Sequence, residues 1–227
     1  MKRVRVKRLP RFLLRIITIL FLYSIGSVLL YRYVPVPVTP LMVREAVGAA
    51  IKGESTTFQH HWVPMENISP HLANAVVASE DQLFYQHHGF DWKAISDAVE
   101  ERKSGKRKRG GSTISQQTAK NVFTFCTSTW ARKAIEAYYT ILIECLWPKE
   151  RILEVYLNSI EMGHRIYGAE AVAQSHFGKP ASKLTRSECA LVAATLPNPQ
   201  RYSSKTPSNY MLRRQNAILK QMSLMGK

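Results

Sequence analysis

From Phe12 to Val34 the chain reads FLLRIITILFLYSIGSVLLYRYV, free of proline and charged only at Arg15 and Arg32. About twenty apolar residues suffice to cross a bilayer's hydrocarbon core. There the backbone has no water to bond to, so such a run must be helical. The segment before it carries Lys2, Arg3, Arg5, Lys7, Arg8 and Arg11 and no acid. The excess of lysine and arginine on cytoplasmic flanks predicts residues 1–11 inside the cell and everything after residue 34 outside it. Arg15 can snorkel to the near interface, and Tyr31 and Tyr33 are expected as aromatic anchors at the far one. A cleaved signal peptide is the alternative. The run exceeds the ~7–15 residues of a signal core, and no A-x-A site follows it.

The formal charge is +16. Residues 1–15 carry seven basic side chains, which leaves +9 on the remainder. A basic surface attracts nucleic acid, anionic lipid or phosphorylated substrates. An extracytoplasmic location argues against nucleic acid, so no nucleic-acid partner is expected. The run ERKSGKRKRGG, Glu101 to Gly111, then reads as a cationic flap or a solvated loop. Cys126, Cys145 and Cys189 are odd in number, lack metal-site spacing and lie among apolar neighbours. They read as small buried hydrophobes.

Pro35, Pro37 and Pro40 in PVPVTP read as a stiff linker within a membrane-proximal segment, residues 35–52. From there the periodicity is helical and strand-like alternation is scarce, which predicts a mainly α, two-lobed domain over residues 53–227. Ser69 and Pro70 start a helix expected to reach about Phe84. Asp91 caps the next, with Trp92, Ile95 and Val99 on one face. Ser112 or Thr113 caps a third through Phe123, and Thr129 opens a long one that stops near Pro148. Another is marked by Ile152, Leu153 and Tyr156. Thr185 and Glu188 form a capping box, and a final helix covers about Asn209 to Met225.

Glu80 and Asp81 fall late in their helix, where negative charge opposes the macrodipole. Local stability does not explain them, although a solvated acidic turn remains the simpler reading of the pair alone. His87 is either a proton carrier or a residue that holds the turn at Gly89. Gly110 and Gly111 precede a helix start whose free N–H groups favour an anion; a capped loop is the plain alternative. Arg132, Lys133 and Glu136 share a helix face, as a surface ion pair or as something more.

Taken in order, five blocks carry more than any one. EDxxFxxHxGxD spans Glu80–Asp91, GGSTxxQQxxKN spans Gly110–Asn121, and RKxxE spans Arg132–Glu136. KxxILExYLN spans Lys149–Asn158 and RQxxIL spans Arg214–Leu219. Residues 35–225 thereby resemble the peptidoglycan glycosyltransferases, glycosyltransferase family 51, in their monofunctional form. The resemblance implies a lysozyme-like glycosyltransferase fold that polymerises lipid II by inverting β-1,4 transfer and releases undecaprenyl diphosphate. It implies Glu80 as the base and Glu136 as a second essential carboxylate near the diphosphate. Lys120, Arg132 and Lys133, with Arg109 as a further cation, would face the donor phosphates. Asp81, Phe84, His87, Ser112, Thr113, Gln116, Gln117 and Asn121 would complete the substrate-binding set. No organic cofactor is implied; Glu136 could act through a divalent ion, Mg or Mn. Glu154 is read as structural. His176, Met162 and Cys189 depart from the family's usual tyrosine, phenylalanine and alanine, which bears on packing.

The expected partners are lipid II, the growing glycan strand, the inner membrane and other cell-wall synthesis and division proteins. The expected location is the inner membrane, single-pass, with a periplasmic catalytic domain. No S-x-x-K motif is present, so no transpeptidase activity is expected. The rival readings are a non-catalytic scaffold of wall-synthesis complexes and a membrane-anchored cell-wall glycosidase.

Overall fold

The structure is a computed structural model, described here for residues 10–104, 111–125 and 130–225. The basic tail 1–9, Arg109, Gly110, Cys126, Thr129 and Lys227 lie outside the described residues, as do most of the basic run and the side chain of Val99.

Helix α1, Arg11–Tyr33, is long and apolar enough to cross a membrane. At 1.5 Å per residue its 23 residues span about 35 Å. It does not stand apart from the rest. Ser24 and Val28 are buried, and the Ser24 and Tyr138 hydroxyls lie 2.6 Å apart. Trp147 Nε1 donates to the Val28 carbonyl at 2.8 Å. At the helix end, where carbonyls lack partners, Arg151 donates to the Tyr31 and Val34 carbonyls at 2.7–3.0 Å. Tyr31 packs against Phe123 and the core, so only the exposed Tyr33 is free to act as the expected anchor.

The proline-marked segment after α1 is shorter than expected. Thr39 accepts from the Met42 N–H and Pro40 takes the first helical position of α2, Pro40–Ile51. Proline suits that position because its missing N–H is not needed there. The helices that follow are α3, Pro70–Glu80; α4, Trp92–Lys103; α5, Ile114–Phe123; α6, Trp130–Leu146; and α7, Lys149–Ser159. After them come α8, Ala169–Phe177; α9, Arg186–Ala193; and α10, Asn209–Met225. Most starts match their sequence signals: Asp91 Oδ1 accepts from Ala94 N, and capping boxes begin α5 and α9. On α4, however, Trp92 is exposed.

A small sheet escaped the sequence reading. Strand β1 (Gln59–His60) runs parallel to β3 (Ile166–Tyr167), which pairs antiparallel with β2 (Glu161–Gly163), in the order β1-β3-β2. Elements this short show no alternation to detect.

The helices pack as two groups, α3 with α9 and α10, and α5 with α6 and α7. The buried core runs through both. This is the mainly α, lysozyme-like arrangement expected, with one membrane-length helix at its start. Glu154 joins the connections: it accepts from Arg151 and from the Met65 N–H. Met162 and Cys189 are fully buried, and burial pushes the Cys189 thiol up to about 12. His176 Nδ1 lies 2.7 Å from Ser204 Oγ. Contrary to expectation, Cys145 is exposed.

Candidate active site

Glu80 is the last residue of α3, and its chain leaves the helix abruptly at Asp81, φ −158° and ψ 78°. The expected helix to Phe84 therefore stops early, and the reason is long-range. Asp81 Oδ2 accepts the N–H of Ile114, the first residue of α5, at 3.0 Å. Both Asp81 oxygens also face His87 Nε2, at 2.9 and 3.0 Å. His87 Nδ1 accepts from the Gly89 N–H at 3.1 Å, so Nε2 carries the proton and donates. Gly89, at φ +87°, gives its carbonyl to Thr113 Oγ1 at 2.7 Å. A Cβ there would meet Thr140 Cγ2 at 2.8 Å.

These bonds give part of the expected substrate-binding set a bracing role in the fold. Asp81, Thr113 and Gln116 are buried, with polar atoms engaged in holding the α3–α5 junction together. His87 is a structural donor in the same junction. Phe84 lies fully within the core, its ring under the Lys149 ammonium at 4.6 Å. Asn121 is 1% exposed, and neither amide atom has a hydrogen-bond partner among the described residues. Ser112 lines the open pocket with Glu80, Gln82 and Asp91, and Asp81 and Thr113 reach the same pocket wall.

What remains converges along α5. Gln117 Nε2 donates to Glu80 Oε2 at 3.1 Å. Glu80 Oε1 accepts from Ser79 Oγ at 3.1 Å and lies 3.7 Å from Arg214 Nη2 of α10. One helical turn further along α5 is Lys120, whose ammonium senses Glu136, Arg132 and Lys133 of α6 and Arg44 of α2. Burial lowers its pKa from the ordinary 10.5; Glu136 opposes that, while the three cations reinforce it.

Glu136 is 2% exposed and held by Arg132 Nη1 at 3.0 Å and Lys133 Nζ at 2.5 Å. A carboxylate so buried is costly unless paired, which the surface-pair reading of RKxxE did not anticipate. Each Glu136 oxygen faces a cation, and among the described residues no three metal-binding side chains cluster. Any divalent ion at Glu136 would draw its remaining ligands from substrate phosphates and water. Arg109 lies outside the described residues.

A carboxylate at the mouth of a pocket, bonded to Gln117 one helical turn before Lys120 and its cationic neighbours, suits the deprotonation of a hydroxyl beside a departing anion. The description of the family model that matches residues 47–223 is "Transglycosylase". The chain belongs to the transglycosylase family. Its enzyme class, peptidoglycan glycosyltransferase, follows from that membership. Three relatives named biosynthetic peptidoglycan transglycosylase align over nearly the whole length. The Bacteroides thetaiotaomicron protein is 52% identical, covering 98% of this chain and 90% of that protein. For Bdellovibrio bacteriovorus the figures are 48%, 97% and 88%, and for Pasteurella multocida 47%, 97% and 90%.

Two residues of this transglycosylase's site had no role in the sequence reading. Arg214 sat in a recognised block, but its approach to Glu80 depends on how α10 packs against α3. Tyr156 sat in another block and read only as a helix-face residue; its hydroxyl reaches Gln117 Oε1 at 3.2 Å.

Proposed function

We propose that the enzyme polymerises lipid II into β-1,4-linked glycan strands with inversion, releases undecaprenyl diphosphate, and carries no transpeptidase activity. The growing strand is the donor and lipid II the acceptor. Glu80 takes the proton from the acceptor hydroxyl as its oxygen attacks the donor's anomeric carbon. The bond to the diphosphate breaks in the same step, and Lys120, Arg132 and Lys133 stabilise the negative charge that collects there. Glu136 holds the two α6 cations in place. Helix α1 sits in the inner membrane with its N-terminus cytoplasmic and the catalytic domain periplasmic, which keeps the cleft beside its lipid-linked substrates. Other wall-synthesis and division proteins are its partners in this reading.

The observation that carries the proposal is the path along α5, which connects Glu80 through Gln117 to Lys120 and the Glu136 cluster. Purified protein incubated with labelled lipid II tests it. Wild type should make long strands, and Glu80→Gln should keep its fold and lose about 10²–10⁴ in rate, the usual contribution of a general base. Polymerisation by Glu80→Gln at the wild-type rate would overturn the base assignment. Cleavage of preformed wall without polymer would point to the glycosidase instead.

A further inference from the structure

We propose that Tyr156 is a positioning residue for glycosyl transfer: its hydroxyl decides which end of the Gln117 amide faces Glu80. This rests on the reading of Glu80 as the base. An amide can sit in its slot either way round. Placed with its oxygen toward Glu80, it would set lone pairs against a carboxylate; placed with its NH₂ there, it donates. Tyr156 breaks the tie. Its hydroxyl donates to Gln117 Oε1 at 3.2 Å, which leaves Nε2 to donate to Glu80 Oε2 at 3.1 Å.

Tyr156 is well suited to the task. It projects from α7 and is fully buried. Burial pushes its phenol well above the ordinary value of 10, and the nearby charges of Glu80 and Asp81 push the same way. The hydroxyl thus keeps its proton and remains a donor throughout the working range. Helix α5 supplies the neutral Gln117 on one side of Glu80, and α10 supplies the Arg214 guanidinium on the other. Among the described residues, Asp81, committed to His87 and Ile114, and Asp91, in the same pocket, are further charged neighbours. Of these contacts, that of Gln117 is the one that a simple flip turns into a carbonyl oxygen set against the carboxylate.

The test is steady-state polymerisation of labelled lipid II by the full-length protein from about pH 5 to pH 9, comparing wild type, Tyr156→Phe and Glu80→Gln. Phenylalanine keeps the buried ring and removes the donor. The expected result is an unchanged KM, a kcat roughly tenfold lower, and an acid limb of the rate profile displaced upward by about one pH unit. That is the scale of one hydrogen bond to a charged acceptor. An acid limb that stays put or moves down overturns the proposal. Inactive Glu80→Gln beside an unshifted Tyr156→Phe removes only the role of Tyr156, whereas active Glu80→Gln removes the base itself. Should Tyr156→Phe fail to fold, the wild-type Gln117 side-chain amide can be followed by NMR. A nuclear Overhauser contact between the amide protons and the Tyr156 ring is expected to be absent, with the Tyr156 hydroxyl proton protected from exchange by its bond to Oε1; amide protons found against the Tyr156 hydroxyl overturn the proposal.

Discussion

Asp81→Asn separates two roles that a sequence motif cannot. In the structure the carboxylate accepts from Ile114 N and from His87 Nε2, and it is 6% exposed. An asparagine can keep one oxygen for Ile114, 3.0 Å from His87 Nε2 as well, but its NH₂ then crowds the same Nε2–H, donor against donor, and finds no acceptor there. Reversing the His87 tautomer does not help, because Nδ1 would then oppose the Gly89 N–H. One charge-assisted bond is lost and one buried donor is left unpaired. At about 1.5–3 kcal/mol for the first and about 1–3 for the second, partly overlapping, the expected loss is about 3 kcal/mol. For a chain of this size that lowers Tm by about 6–12 °C. Thermal unfolding in detergent, read beside KM for labelled lipid II, gives the answer. The structural assignment expects a large fall in Tm with KM little changed at a temperature where the variant is folded. An unchanged Tm with a raised KM would refute it and restore Asp81 to the substrate.

Lys120 should give the activity an alkaline limb below the ordinary lysine range. Its lowered pKa means that the ammonium is lost, and its attraction for diphosphate with it, as pH rises through that value; Lys120→Arg should flatten the limb, and identical profiles would count against the role. Gly168→Ala should abolish folding or cost about 3 kcal/mol or more, because Gly168 sits at φ +87° and a Cβ would lie 2.5 Å from the Asn158 carbonyl oxygen. Soluble yield and Tm measure this, and a wild-type melting curve would contradict it.

The parts of the fold legible in the sequence were those with local causes. Thr113 with Gln116 and Thr185 with Glu188 announce helix starts because capping needs only residues three apart. The span of α1 follows from hydropathy alone. Helix α3 ends four residues before the sequence predicts, because the cause, the Ile114 N–H, is 33 positions from Asp81. The prolines after α1 read as linker because proline signals both a stiff extended chain and a first helical turn. In the site, Glu80 and the RKxxE cluster were identifiable as chemistry. Residue type could not tell which members of their blocks face the cleft and which brace it from behind. Gln116 and Gln117 are neighbours of the same type, yet one closes the capping box and the other reaches Glu80. Only the helix phase, set by packing against α6 and α7, separates them.

The seam between α1 and the α6–α7 corner also bears on the membrane itself. Contacts at Ser24, Val28, Tyr31 and Val34 grip the helix at several levels over about 15 Å of its length. Gripped in this way, α1 behaves less like a tether than like the shaft of a tool whose head is the catalytic domain. A bilayer thinner than the apolar length of α1 is met by tilting the helix, and on the proposed membrane placement such a tilt passes into the attitude of the cleft. On that placement bilayer thickness becomes a variable of catalysis, because it sets the angle at which the open pocket meets the proposed lipid-linked substrate.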